Sequence, residues 1–367
     1  MNYFQSYTFK QIITMHPVQE YDVKKYHQIL EPDFPEFLNK YIQLPLLQRL
    51  SGIGLLCGSD WTKLFNNRFY YSRLDHSIGV ALITWHFTHN KAQTIAGLLH
   101  DISTPVFSHV SDFRKGDALT QTATEEPTQA LIRGDRELLK LLEEDGLTVA
   151  QVEDYHIYPV ADNEIPQLSA DRLEYMYPSG MALEGSWTLE QVAATYNDLE
   201  VLTNEKGEPE LGFNTLELAE LYCQKFCMTG HILQMNEDKI TLQLLGQIMN
   251  KAVEEQVLQE DDFMTLSETQ ILTKLEVSTA SEKLMQLYWT FRNMTEILHT
   301  EAPLPAEDYF CISLKVKQRY INPLVKTKNG VLRLKEASNS ASKIISDFLT
   351  YTDTPNMLCL LSRIKIR

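Results

Sequence analysis

Histidine and aspartate residues in three separated segments have the types and the order of a divalent-metal site. They are His76, the adjacent pair His100 and Asp101, and Asp171. Two neutral imidazoles and two carboxylates hold a divalent cation while leaving positions open for water, which then loses a proton near neutral pH. Hydroxide produced in this way attacks phosphorus. We therefore predict a four-ligand metal site whose chemistry is phosphate ester hydrolysis.

Two apolar segments must position these ligands. His76 precedes a mostly apolar run that predicts a buried helix, and a second apolar run, 94–99, ends directly before His100. Adjacent residues at a helix end diverge by about 100°. His100 and Asp101 therefore reach one ion only in a crevice between helices, where His76 and Asp171 arrive from other segments.

Cationic and aromatic side chains beside the predicted ligands are candidates for substrate contacts. Arg73 and Arg172 are close in sequence to a ligand, and a guanidinium there can hold phosphate oxygens through forked hydrogen bonds. Pairing with one of the many carboxylates is the structural alternative for each arginine. Tyr175 lies four residues after Asp171 on the same helical face. It is predicted to contact the sugar of a substrate or to be a core residue.

The order of these segments resembles the HD-domain phosphohydrolases, and most closely the deoxynucleoside triphosphate triphosphohydrolases in that superfamily. The matching segments are Arg73-Leu74-Asp75-His76-Ser77, His100-Asp101-Ile102-Ser103-Thr104-Pro105-Val106-Phe107-Ser108-His109 and Asp171-Arg172-Leu173-Glu174-Tyr175. Further similar segments at 47–50 and 315–325 extend the resemblance over most of the chain. It implies a mainly α fold with an HD-domain helical core, and a homodimer or larger homo-oligomer. The ligand types suit one divalent ion of manganese, iron, nickel, cobalt, zinc or, less well, magnesium.

The resemblance also implies roles outside the ligand set. His109, oriented by Asp112 three residues later, would protonate the leaving oxygen or stabilise the transferring phosphoryl group. Histidines that are usual in the triphosphohydrolases are replaced by Thr104 and Thr124. Glu125, or the glutamate after it, is the candidate for the substrate-binding role of a lost histidine. Release of a whole triphosphate and release of orthophosphate both stay open.

Three functions compete for this pattern. The first is a metal-dependent phosphohydrolase acting on a nucleotide or a related small phosphoester. The second is a nucleotide or metabolite sensor that retains its metal without turnover, and Thr104 and Thr124 are the residues that favour it. The third is a metal oxygenase on the same helical scaffold. It would need histidines for a second iron, which are not visible at suitable places in the sequence.

Charge and composition narrow the class of substrate and the location. The chain has 33 Lys and Arg against 49 Asp and Glu, for a formal net charge of −16. Binding to nucleic acid polymers is therefore not expected, because it needs a basic surface. The sequence has no apolar run of about 20 residues and does not begin with a basic-then-apolar segment. We expect a cytoplasmic protein that binds a small phosphorylated molecule and no membrane.

The chain is predicted to have three regions. Residues 1–45 form a lead-in packed on the core, 46–200 the metal-binding catalytic core, and 201–367 a helical region that ends in a small α+β appendage. Further predicted elements are a strand reversal at 203–209, helices over 216–233, 241–258 and 281–299, a capping box at 265–268, and a strand over 310–316 paired with 331–334.

Overall fold

The computed structural model of the protein describes residues 8–16, 21–119 and 128–361. The fold is mainly α, as predicted. The helices are α1 (Phe9–Thr14), α2 (Val23–Leu30), α3 (Leu38–Ile42), α4 (Pro45–Gln48), α5 (Arg73–Thr88), α6 (Lys91–Leu99), α7 (Val110–Arg114), α8 (Thr128–Gly134), α9 (Arg136–Glu144), α10 (Ala170–Leu183), α11 (Leu189–Asn197), α12 (Leu216–Ile232), α13 (Asn236–Glu254), α14 (Asp262–Thr265), α15 (Glu268–Glu276), α16 (Glu282–Asn293), α17 (Leu334–Ala337) and α18 (Asn339–Leu349).

Short strands form two small sheets beside the helices. The strands are β1 (Leu199–Thr203), β2 (Pro209–Phe213), β3 (Leu298–Thr300), β4 (Tyr309–Ile312), β5 (Leu324–Thr327), β6 (Gly330–Arg333) and β7 (Asn356–Leu360). One sheet has the order β1-β2-β5-β6 and the other β3-β7-β4. The β2–β5 pair is parallel, and the other pairs are antiparallel.

Helices α5, α6 and α10 pack together and carry the predicted ligands. α5 begins after Ser72, which forms a capping box with Asp75, and ends at His89 in the left-handed conformation with φ 48°. α5 and α10 approach closely at Gly79. A Cβ at this position would lie 2.4 Å from Glu174 Oε1. The glycine therefore allows a side chain of α10 to reach the backbone of α5.

Local sequence signals predicted several of these elements correctly. The turn at 203–209 joins the paired strands β1 and β2, and the predicted helix over 216–233 is α12. The predicted helix over 241–258 is α13, but it begins five residues earlier, at Asn236. Its acidic first turn, Glu237 and Asp238, suits the positive end of the helix dipole.

Three local predictions were wrong. The capping box near residue 267 joins Ser267 to Gln270, which lies two residues beyond the predicted one. α16 ends at Asn293, and 298–300 form β3 on β7. The segment 331–334 does not pair with 310–316. It forms a hairpin with β5, while β4 pairs with β7. Alternation along a strand identifies the strand but not its partner, because each pairing is decided by the whole sheet.

Helices after residue 200 pack on elements of the preceding region, including one ligand-bearing helix. α12 contacts α10, and α13 contacts α7 and α16. The three predicted region boundaries stay a prediction, since packing across residue 200 does not define a boundary. Within 8–16, 21–119 and 128–361, no helix has the length and apolarity needed to cross a bilayer.

Candidate metal centre

His76 lies in the first turns of α5 with its ring buried. Its Nδ1 is 2.5 Å from Glu174 Oε2, so this nitrogen carries a proton and donates it to the carboxylate. Glu174 is fully buried and also accepts a hydrogen bond of 2.6 Å from the Tyr71 hydroxyl. A carboxylate that accepts from the far side of a histidine fixes the tautomer of a metal ligand. The His76 Nε2 atom is left as the ligand atom.

His100 and Asp101 lie at the carboxyl end of α6, as predicted. His100 Nδ1 donates to the Gly97 carbonyl oxygen at 2.7 Å, which leaves Nε2 as an acceptor. The Asp101 carboxylate is held on both oxygens. Arg73 Nη1 donates to Oδ2 at 2.8 Å, and Thr104 Oγ1 donates to Oδ1 at 2.8 Å. Thr104 thus positions a predicted ligand.

Four potential ligand atoms converge from three parts of the fold. His76 Nε2 is 3.2 Å from His100 Nε2, and Asp171 Oδ1 is 3.1 Å and 3.8 Å from these two nitrogens. Asp101 Oδ2 is 3.9 Å from the first nitrogen and 3.6 Å from the second. Adjacent ligands at about 2.1 Å from one ion lie about 3.0–3.4 Å apart. These distances are within about half an ångström of that spacing. The ligand atoms of His76, His100 and Asp101 all lie within 4.8 Å of one another, and Asp171 faces the two histidines from the other side of the site.

The chemistry of these atoms fits a divalent cation. With neutral histidines and ionised aspartates all four atoms are acceptors, and each aspartate oxygen faces both histidine nitrogens. A positive charge is therefore needed between them. Although burial opposes it, the hydrogen bond from His76 and the nearby histidines lower the pKa of Asp171 to about 2. Burial likewise opposes the shift in His76, but Asp171 and Glu174 raise its pKa to about 10. A proton on His76 and a metal ion therefore compete for one position.

The four ligands line a cavity of about 690 Å³. This volume is within the range of about 300–1,000 Å³ for small-molecule sites. The predicted site residues His109, Arg73, Arg172 and Tyr175 also line it, together with Arg319. The structure thus brings the predicted ligands and most of the predicted substrate-contacting residues to one cavity.

His109 follows a strained turn. Phe107 and Ser108 both have left-handed backbone conformations, with φ 61° and 52°, which are uncommon for residues other than glycine. Arg73 Nε donates to Ser108 Oγ at 3.0 Å and holds this turn in place. The turn puts His109 in the cavity wall, with Nδ1 3.0 Å from Asp112 Oδ2 as predicted from their spacing.

The protonation of His109 depends on its surroundings. Burial lowers the pKa of His109, the hydrogen bond with Asp112 opposes this, and the positive charges of Arg319 and Arg73 lower the pKa further. An anionic group in the cavity would offset those two charges and favour the protonated ring. His109 is therefore in a position to carry a proton when a phosphate is bound.

Two solved structures share this fold. A phosphohydrolase structure from Bacteroides thetaiotaomicron superposes with a TM-score of 0.61 at 16% identity, over 90% of this chain and 97% of that one. The chain shares its fold with a phosphohydrolase. A hypothetical protein from Aquifex aeolicus superposes with a TM-score of 0.62 at 15% identity, over 89% and 93% of the two chains.

Two curated proteins are similar in sequence. The metal-dependent phosphohydrolase cns2 of Cordyceps militaris is 23% identical over 78% of this chain and 79% of its own length. The uncharacterized protein YdhJ of Bacillus subtilis is 25% identical over 68% of this chain and 74% of its own. No protein-family model matches the sequence.

The two predicted phosphate-binding arginines form hydrogen bonds with other residues of the protein. Arg73 bonds Asp101 and Ser108, as described above. Arg172 donates from Nη1 to Asn163 Oδ1 at 2.6 Å and from Nη2 to Asp162 Oδ1 at 2.9 Å. Both guanidinium groups brace the cavity wall. Their binding of phosphate stays a prediction.

Of the two other predicted substrate-binding residues, the structure describes Tyr175 but not Glu125. The Tyr175 hydroxyl is buried and has no hydrogen-bond partner among the described residues. Since Tyr175 lines the cavity, its hydroxyl can contact a ligand, although the sugar contact itself stays a prediction. Glu125, like Thr124, lies outside the described residues.

Two residues of this site were not among the predicted ones. Glu174 orients His76, and its signal was its position three residues after Asp171 on one helical face. Arg319 lines the cavity, and no hydrogen bond or ion pair of its side chain is found in the described part of the chain. Its signal was the run from 315 to 319, which places three cations in five residues of an acidic chain.

Proposed function

We propose that the chain is a metal-dependent phosphohydrolase that cleaves a phosphate bond of a small molecule, with nucleotides as the substrate class. The observation that carries the proposal is the convergence of four acceptor atoms, from His76, His100, Asp101 and Asp171, in the wall of the cavity that also holds His109. The similarity to cns2 and the shared fold support the same reaction class.

His76, His100, Asp101 and Asp171 would hold a divalent cation, and that ion would supply a water of lowered pKa as the nucleophile. The protein's own contribution begins with orientation. Glu174 keeps the proton of His76 on Nδ1, and the Gly97 carbonyl does the same for His100. Arg73 and Thr104 hold the Asp101 carboxylate on both of its oxygens. These bonds fix the ligand atoms before any substrate binds.

His109 and Arg319 act on the substrate. Arg319 binds a phosphate oxygen, since its charge reaches the cavity and is not taken up by a described carboxylate. The phosphate in turn favours protonation of His109, which donates to the leaving oxygen while Asp112 holds its other nitrogen. In this proposal the Arg319 guanidinium binds the phosphate and the His109 ring transfers the proton.

The finer resemblance to triphosphohydrolases is part of the proposal, as is assembly into a homodimer or larger homo-oligomer. A sedimentation measurement tests the assembly, and a mass of one chain at micromolar concentration would contradict it.

A metal-bound nucleotide sensor is the second candidate. The observation that favours it is Thr104. Its hydroxyl is bonded to Asp101, and it supplies no titratable group at the place where the triphosphohydrolases usually have a histidine.

The test is a turnover screen of the purified protein with manganese. Substrates are nucleoside monophosphates, nucleoside triphosphates and p-nitrophenyl phosphate, and products are identified by mass. The Asp171→Ala protein is the control for contaminating phosphatases, because it lacks one ligand. We expect product release that depends on added metal and is absent in the control.

The product distinguishes the variants of the proposal. Release of intact triphosphate supports the triphosphohydrolase resemblance, and release of orthophosphate supports a phosphatase. No turnover with metal still bound would overturn the enzymatic proposal in favour of the sensor. Equal turnover by the wild-type and Asp171→Ala proteins would contradict the metal site.

A further inference from the structure

Asp238 is a buried carboxylate that the mechanism above does not use. It lies in the first turn of α13, is 9% exposed and lines the same cavity as the metal ligands. Across the described residues, no hydrogen bond or ion pair involves its carboxylate. It differs in this respect from Asp101 and Glu174, whose oxygens are bonded by neighbouring donors.

Apolar side chains line part of the same cavity wall as Asp238. Leu242 is one helical turn further along α13 and also lines the cavity, as do Leu56 and Phe113 from other segments. Burial raises the pKa of Asp238 to about 7, and the charge of the adjacent Lys239 opposes this only in part. The carboxyl group therefore lies at the edge of the cavity in a poorly hydrated environment.

Such a position is unfavourable for folding. A carboxylate that is largely removed from water and bonded to no protein donor destabilises the folded protein, and an apolar side chain at this position would avoid that cost. Buried carboxyl groups with perturbed titration occur preferentially at functional sites. Apart from water in the cavity, a bound ligand is the remaining source of a hydrogen-bond partner.

We infer that Asp238 binds the organic part of the substrate through N–H groups at the edge of a flat heterocycle, the chemistry of a nucleobase. The inference rests on the proposed function and names the specificity-determining residue of that site. Apolar side chains such as Leu56, Phe113 and Leu242 contact the ring faces, and the carboxyl group pairs with the ring edge. A site that bonds a ligand N–H strongly discriminates against ligands that lack it.

The experiment measures nucleoside binding to the manganese-loaded protein by calorimetry, independently of turnover. The ligands are guanosine, adenosine, cytidine and uridine. The best binder is then tested with a methyl group on the N–H donor of its base edge, which is a ring nitrogen in guanosine and uridine and the exocyclic amine in adenosine and cytidine. Asp238→Asn replaces one of the two acceptor oxygens by an amide nitrogen of similar size and removes the negative charge. We expect at least one nucleoside to bind, and the variant to weaken its affinity about tenfold or more.

Glu268→Gln is the matched control variant. Glu268 is also a buried carboxylate whose burial raises its pKa to about 7. It lies outside the cavity wall, and its oxygens accept from the Gly54 amide at 3.0 Å and Trp61 Nε1 at 2.7 Å. Its replacement reports the general effect of losing a buried carboxylate. Manganese content and circular dichroism of both variants check that the fold is retained.

The outcomes separate this inference from the proposed function. Weaker nucleoside binding in Asp238→Asn but not in Glu268→Gln supports it. Loss of affinity on N-methylation supports it too, and this measurement needs no variant to fold. Unchanged affinity in both tests overturns it. If the wild-type protein hydrolyses p-nitrophenyl phosphate but binds no nucleoside, the inference fails while the phosphohydrolase stands. If nucleosides bind in an Asp238-dependent manner but no hydrolysis is found, the inference stands and the phosphohydrolase proposal fails.

Discussion

Histidine and carboxylates meet in two regions of the molecule with opposite results. In the metal centre, acceptor atoms of two histidines and two aspartates face one another. In the second region, which we call the β3 cluster, His299 lies between Glu237 and Asp353. Its Nε2 is 3.0 Å from Glu237 Oε1, and its Nδ1 is 3.2 Å from Asp353 Oδ1. Both ring nitrogens of His299 donate to a carboxylate.

The difference lies in where the ring nitrogens point. His76 uses one nitrogen to donate to Glu174 and directs the other toward His100, another acceptor. The β3 cluster is complete when His299 is protonated, whereas the metal centre needs a cation between its rings. Residue type alone therefore does not distinguish an ion-pair cluster from a metal site. The hydrogen bond on the far side of each histidine does.

Removing one aspartate from each region gives the largest expected contrast. Asp171→Ala should abolish both metal binding and turnover with little change in helical content, because the ligand is lost locally. Asp353→Ala should retain metal and turnover and lower the melting temperature, since it breaks an ion pair and a bond to the Asn236 amide. Metal analysis, turnover and thermal melts measure all three. Metal retained in Asp171→Ala would contradict the four-ligand assignment.

His109 tests whether catalysis needs more than the metal. His109→Ala should keep the metal and slow turnover by about a hundredfold or more, the usual contribution of a general acid. Asp112 holds the His109 ring. Asp112→Asn should slow turnover less than His109→Ala does, because the imidazole remains. Steady-state kinetics at saturating manganese measure both. An unchanged rate for His109→Ala would remove this residue from the mechanism.

Glu174 sharpens the comparison without removing a ligand. Glu174→Gln replaces a charged acceptor behind His76 and should weaken metal affinity about 10–100-fold, as replacement of such partners does in other metal sites. Glu237→Gln in the β3 cluster is the matched control and should leave metal affinity unchanged. Titration with a metal-sensitive chelator gives both constants. Equal affinities in wild-type and Glu174→Gln proteins would show that Glu174 does not orient His76.

The sequence predicted the parts of this site that depend on residue type and order. His76, His100, Asp101 and Asp171 are predicted as ligands from their types and order, and apolar runs predict the helices next to His76 and His100. The structure brings these four side chains together. Glu174 was not predicted. Its hydrogen bond to His76 requires α10 to approach α5 closely, and Gly79 allows that approach. That approach is a property of helix packing, which one sequence does not display.

Tertiary packing also determines the hydrogen bonds of the arginines and the pairing of the strands, which one sequence does not display. Arg73 and Arg172 have the right sequence positions for phosphate, but their bonds to Asp101 and to the 162–167 loop depend on tertiary folding. Arg319 comes from a segment far along the chain that folds back to the cavity. The hairpins β1–β2 and β5–β6 are local, whereas β4 and β7 pair across more than 40 residues. Such distant pairing is not encoded in local alternation.

The smallest effect comes from the charge of His299. Its two carboxylate partners raise its pKa from 6.5 to about 10, against the opposing effect of burial. A pKa raised by folding stabilises the native state fully below about pH 6.5, and this contribution is lost as pH rises through 10. His299→Gln should therefore lower the melting temperature by about 1–4 °C at pH 6.5, with the difference from wild type shrinking toward pH 10. A difference that grows with pH would show that His299 is neutral in the folded protein and that the β3 cluster is not an ion pair.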